Sequence, residues 1–153
     1  MPAIVPFEPA HLPACRAIFE TIPEWFGIAA SNEKYLRELG ELPAFVAVES
    51  DAVVGFASLR THFPEAAELE VLAVRRDLHR RGAGRALVSH CEDWLRARGV
   101  AWLHVKTLAP SDPDPGYAKT RAFYRALGFA PLFETELWGP GNPTLISVKR
   151  LAP

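Results

Sequence analysis

This sequence has little metal-ligand spacing and completes neither common nucleotide-binding motif. Its two cysteines, Cys15 and Cys91, are too few for a disulfide framework, and both fall in stretches that read as helices, where an apolar thiol packs. Five histidines, His11, His62, His79, His90 and His104, form no His-x-x-x-His pair and have no Cys-x-x-Cys nearby, so no metal site is expected. Gly-Lys-Ser and Gly-Lys-Thr are absent, which excludes a Walker loop, and Gly82-Ala83-Gly84 is followed by Leu87 where a dinucleotide fingerprint needs Gly or Ala. Uninterrupted apolar runs are short, as in Ala44 to Val48, and Met1-Pro2-Ala3-Ile4-Val5-Pro6 has no basic leader. A soluble, cytoplasmic protein without a membrane partner is expected. The arginines cluster without interleaved stacking aromatics, and this disfavours nucleic-acid binding.

No Ser- or Gly-rich linker, repeat or low-complexity tract divides the 153 residues, and 49% hydrophobic content supports a single domain over 1–153. The net charge of −1 hides an asymmetry. Residues 1–74 carry 11 Asp/Glu against 4 Lys/Arg, and residues 75–153 carry 7 against 13. The basic half suits a phosphorylated ligand, and the acidic half would attract a cationic one.

Short apolar and β-rich runs alternate with helical periodicity in the order β-α-α-β-β-β-α-β-α-β-β. Ala3 to Phe7 reads as an edge strand, and a helix follows to about Thr21 with Pro13 in its first turn. The loop Ile22 to Gly27 carries Glu24, Trp25 and Phe26. Ser31 is the expected N-cap of a helix over Asn32 to Leu39. Pro43 to Glu49 and Val53 to Arg60 read as a hairpin, and Thr61 to Glu65 as a turn. In the next strand, period two places Glu68, Glu70, Leu72 and Val74 on one face and Leu69, Val71 and Ala73 on the other. Two carboxylates on so apolar a strand are costly unless their face opens to water or a site.

An arginine-rich turn, Arg75 to Arg81, then leads into a helix. Gly82 and Gly84 let its backbone approach a ligand, and the unpaired N–H groups of its first turn favour an anion. Arg80, Arg81 and Arg85 point to an anion carrying several charges. Leu87, Val88, Cys91, Trp94 and Leu95 form the helix's apolar stripe, with Glu92 and Arg96 expected on its wet side. A strand from Val100 to Thr107 and a proline-rich stretch from Leu108 to Tyr117 precede a helix over about Ala118 to Leu127. In it Phe123 and Leu127 should face the core and turn Tyr124 toward a cleft. Phe129 to Trp138 and Pro143 to Arg150 complete the chain as antiparallel strands.

His79-Arg80-Arg81-Gly82-Ala83-Gly84 resembles the pyrophosphate loop of the GNAT superfamily of acyl-CoA-dependent N-acetyltransferases, whose pattern is Arg or Gln, two residues, Gly, one residue, Gly or Ala. His79 departs from it at the first position. Glu68 to Val74 is similar to the family's fourth strand, and Phe123-Tyr124-Arg125-Ala126-Leu127-Gly128-Phe129 to its second motif. The resemblance covers nearly the whole chain. It implies an α/β (α+β) fold with a mixed, mostly antiparallel sheet of six to seven strands and four helices.

It also implies transfer of an acetyl group from acetyl-CoA to a primary amine; a small molecule is the expected acceptor, and the acidic half would suit a cationic one. Acetyl-CoA would be held by Leu72, Ala73, Val74, His79, Arg80, Arg81, Gly82, Ala83, Gly84 and Arg85. Glu68 is the implied general base, with Glu70 as alternative, and Tyr124 the proton donor to the leaving sulfur. Glu24, Trp25, Phe26 and Tyr117 are candidates for the acceptor pocket. Asp112 and Asp114 are placed to shape access, and Trp138 is a weaker lining candidate. Lys106-Thr107 stands where many family members carry Asn. Two other readings stay open: an acyl-CoA-binding regulatory module without turnover, and an enzyme for protein N-termini or lysines. Relatives are often homodimers, which leaves the oligomeric state open.

Overall fold

The computed structural model describes residues 2–112 and 114–151. Met1 and Pro113, the latter inside the proline-rich stretch, lie outside it, as do the last two residues. Seven strands form one sheet: β1 (Ala3–Pro6), β2 (Ala44–Glu49), β3 (Ala52–Phe63), β4 (Ala66–Val74), β5 (Trp102–Leu108), β6 (Ala130–Thr135) and β7 (Thr144–Arg150). Their order is β1-β2-β3-β4-β5-β7-β6, and every pairing is antiparallel except β4 with β5. The helices are α1 (Leu12–Thr21), α2 (Ala29–Glu38), α3 (Ala83–Arg96) and α4 (Pro115–Ala126). This is the fold the resemblance implies. Among the described residues, no helix is long and apolar enough to cross a membrane.

Two buried clusters make the sheet the middle layer of three. On one face, α3 presents Leu87, Val88, Cys91 and Leu95 to Leu59, Leu69, Leu103 and Val105, with Tyr124 of α4 and Phe129 beside them. On the other, Cys15, Ile18 and Phe19 of α1 and Leu36 of α2 pack on Val46, Phe56, Val71 and Ala73. The close seating of α3 explains Gly55: a Cβ there would stand 3.0 Å from the Ala73 carbonyl oxygen and 3.1 Å from Leu87. Both thiols are buried, which pushes each up to about 12, so neither is ionised at neutral pH.

Several local expectations are corrected. Helix α2 starts at Ala29 with Ile28 as N-cap, so Ser31 caps nothing, while the Asn32 amide reaches back to donate to the Phe26 carbonyl. Thr61 to Phe63 continue β3 instead of turning, and β6 stops at Thr135. Helix α4 begins three residues early: Asp114 accepts from the N–H groups of Gly116 and Tyr117, with Pro115 at the first helical position. Glu92 is buried, because Lys149 Nζ reaches across from β7 to within 2.8 Å.

The decisive correction concerns β4. Ser58 pairs with Val71 but Leu59 with Leu69, so Glu70 is an extra residue, a bulge. Alternation therefore breaks: Leu69, Leu72 and Val74 join the α3 side, and Val71 and Ala73 the α1–α2 side. Glu68 and Glu70 do share a face, but Leu72 and Val74 turn away from it.

Candidate active site

Pairing between β4 and β5 lasts three positions, Ala66 with Trp102, Ala67 with Leu103 and Glu68 with His104. Beyond Glu68 the two strands part. Between them opens a cleft of about 1600 Å³, lined by Glu68 to Val74 on one side and Val105 to Leu108 on the other. Backbone groups on this edge of β4 thus face space instead of a neighbouring strand.

At the cleft's far end, Gly82 is the N-cap of α3, and its φ of 89° lies in the left-handed region that favours glycine. The first intrahelical bond is donated by Ala86 to the Gly82 carbonyl, so the N–H groups of Ala83, Gly84 and Arg85 lack helical acceptors. No side chain caps this end, and no acid lies in its first turn. Arg80, at φ 65°, and Arg85 also line the cleft. These features fit a polyphosphate. Gly84 is held close: a Cβ there would stand 3.2 Å from Phe123 Cζ and 3.7 Å from Val74 Cγ2. His79, where the motif has Arg or Gln, is exposed, with Nε2 2.8 Å from the Val74 carbonyl oxygen and its ring steeply inclined to that of Trp25. Arg81 and Ala83 belong to the loop, but their side chains do not line the cleft.

Tyr124 is the one buried residue of α4, set edge-on between Phe123 and Phe129. Phe123 and Leu127, expected as the core pair, are only partly buried. Tyr124 both completes the core and lines the cleft. Burial pushes its phenol well above the usual range, so the hydroxyl keeps its proton.

Glu68 lines the cleft at the point where the strands part. Its side chain is 4% exposed, with Lys106 Nζ 2.9 Å from Oε2, and His62 and His104 Nε2 at 2.8 and 3.5 Å from Oε1. Burial alone would raise its pKa, but bonds from His104, His62 and Lys106 outweigh that and hold it at about 2. A carboxylate at 4.5 unfolded and about 2 folded stabilises the protein fully above pH 4.5 and loses that contribution as pH falls toward 2. After allowance for solvent screening this is about 2 to 3 kcal/mol. Denaturant unfolding at pH 5 and pH 2.5 should show a loss that Glu68→Gln largely abolishes; an unchanged pH slope in the variant would contradict the burial and bonding described.

Glu70 accepts from Arg60 Nε at 3.1 Å, and Arg60 also bonds Glu38. Glu24 is paired with Arg76, whose guanidinium lies over the Trp25 ring, and Phe26 packs with Phe19 and Tyr35. The Tyr117 hydroxyl donates to the Trp25 carbonyl oxygen at 3.3 Å, so α4 and the α1–α2 loop meet over the cleft. Asp112 and Asp114 accept backbone N–H groups, and both line the cleft, as does Trp138. Every residue named for the acceptor side is therefore on one cavity. Sequence reasoning missed Arg60, Tyr35, His62 and His104. It noted Lys106-Thr107 only as a departure, yet Thr107 Oγ1 is buried against the cleft without a partner among the described residues. The expectation of no metal rested on short-range spacing, whereas His62, Glu68 and His104 converge from three strands.

A family model described as the Acetyltransferase (GNAT) family matches residues 12–129. Solved structures of the same fold include a protein described as an acetyltransferase of the GNAT family from Desulfovibrio desulfuricans, at 20% identity and TM-score 0.86, covering 99% of this chain and 100% of that one. The ribosomal-protein-S18-alanine N-acetyltransferase from Escherichia coli is 26% identical at TM-score 0.81, covering 100% and 96%. An aminoglycoside 6'-N-acetyltransferase complexed with coenzyme A is 21% identical at 0.79, covering 99% and 98%. No curated protein sequence matches this chain.

Proposed function

That this chain belongs to the GNAT acetyltransferase family, and so is an acetyl-CoA-dependent acyltransferase, is the premise from which we propose its reaction: acetyl transfer to the primary amine of a small molecule. The observation that carries this reading is the early end of β4–β5 pairing, which leaves a free strand edge leading to an uncapped helix N-terminus. Bound acetyl-CoA supplies an activated acetyl group as its thioester. The N–H groups of Ala83, Gly84 and Arg85, with the Arg80 and Arg85 side chains, would hold the pyrophosphate, and the backbone of Leu72, Ala73 and Val74 would hold the pantetheine arm. The unpartnered Thr107 hydroxyl suits the same arm from β5.

Tyr124 holds its proton at Oη and would give it to the departing sulfur. Glu68, kept ionised, would draw the proton from the attacking amine. Because so depressed a carboxylate retains a proton poorly, the proton would pass on to an imidazole, the side chain whose ordinary pKa lies nearest neutrality. The contact between Tyr117 and Trp25 narrows the acceptor side and supports a small acceptor over a polypeptide.

A cationic acceptor has less support. The glutamates that line the cleft, Glu24, Glu68 and Glu70, are already paired with Arg76, Lys106 and Arg60, so they are neutralised internally. Thiol release from acetyl-CoA should appear with small primary amines in a panel of amino acids, polyamines, aminoglycosides and short peptides. Release with peptides alone would favour the polypeptide reading, and silence across the panel with intact cofactor binding would favour the binding module. A homodimer and a cytoplasmic location are part of the same proposal.

A further inference from the structure

Three neighbouring strands, β3, β4 and β5, set His62, Glu68 and His104 side by side on one face of the sheet. Adjacent strands lie about 5 Å apart, so side chains level with one another across a sheet can share a ligand. Here one donor atom from each of His62, Glu68 and His104 lies within 4.8 Å of the other two, and both Nε2 atoms approach the same carboxylate oxygen, Glu68 Oε1. A tetrahedral zinc shell with ligands at about 2.0 to 2.1 Å has edges of about 3.4 Å. The observed 2.8 and 3.5 Å from Oε1 bracket that value. Modest side-chain rotations would complete the geometry.

Lys106 resolves the apparent conflict of a cation beside the set. Its Nζ sits on Oε2, 2.9 Å away, and leaves Oε1 to the imidazoles. A bonded second oxygen orients a ligating carboxylate, as outer-shell partners do in metal sites. The imidazole rings are stacked, 5.4 Å between centroids and 29° between planes. Glu68 is buried beneath them while the His62 side chain is 40% exposed, so a cation can enter from water and keep a solvent ligand.

We propose that His62, Glu68 and His104 form a binding site for one zinc-class divalent cation. Two imidazole nitrogens and one carboxylate oxygen suit zinc over magnesium or calcium, which take oxygen ligands. The ammonium of Lys106 repels the ion and weakens its binding. The bound cation would engage Oε1 and both imidazoles, the groups the reaction proposed above uses for proton transfer, so metal occupancy and turnover exclude one another at this site.

The chelator-stripped full chain, titrated calorimetrically with zinc chloride alone, should take up one ion per chain. Cobalt(II) should give the visible absorption of a four-coordinate site. His62→Ala and His104→Ala should each weaken zinc uptake at least about tenfold. His90→Ala, which removes a histidine of α3 packed on Phe45, should leave it unchanged. His62 is exposed enough for its variant to fold, which keeps the test sound if His104→Ala does not. No uptake at millimolar zinc, or uptake undiminished in the folded His62 variant, would overturn the site.

Discussion

Replacing Tyr124 with phenylalanine is expected to lower kcat about hundredfold while leaving acetyl-CoA affinity within about twofold. The ring stays between Phe123 and Phe129, so packing is retained. Among the described residues the hydroxyl has no protein hydrogen-bond partner, and its loss leaves no buried group unsatisfied. Stability should therefore hardly change, and the kinetic loss would report on chemistry. Burial keeps the phenol protonated, which is the state a donor to the departing sulfur needs. Full activity in the folded variant would make Tyr124 a core residue and nothing more.

Gly84→Val should raise the dissociation constant for acetyl-CoA at least about tenfold. A bare Cβ already stands 3.2 Å from Phe123 Cζ, a distance at which the ring must give by a few tenths of an ångström. The two methyls of valine add bulk in the same gap between α3, α4 and the end of β4. Either Phe123 moves into the cleft or the first turn of α3 moves off its N–H geometry, and both harm an anion held there. Gly84→Ala should fall between, at about two- to threefold, because the ring edge can yield slightly. Calorimetry on the series, with circular dichroism confirming the fold, tests this. Equal affinity across Gly, Ala and Val would remove the α3 terminus from the cofactor site.

The features legible in the sequence are those set by local chemistry. Gly82 needs a positive φ, and the helix after it needs a period of apolar residues; both stand in the linear chain. Asp114-Pro115 was equally legible as an N-cap and a first helical proline, but the prolines around it masked the signal. The bulge at Glu70 was not legible, because it exists only in the register of β4 against β3. It decides which side of the sheet each β4 side chain joins, so Leu72 and Val74 lie on the opposite face to the one expected, while the two acids do share a face. Glu92 looked wet because its partner, Lys149, is 57 residues away. The convergence of His62, His104 and Lys106 on Glu68 likewise depends on strand order, and with it the fate of the proposed base.

The central claim is that the parting of β4 from β5 is the acetyl-CoA site. A crystal structure of the protein soaked with coenzyme A tests it most directly. The account predicts the pantetheine arm between Leu72 to Val74 and Val105 to Leu108, with the pyrophosphate at the N–H groups of Ala83, Gly84 and Arg85. Coenzyme A bound elsewhere, with this cleft filled only by water, would contradict it.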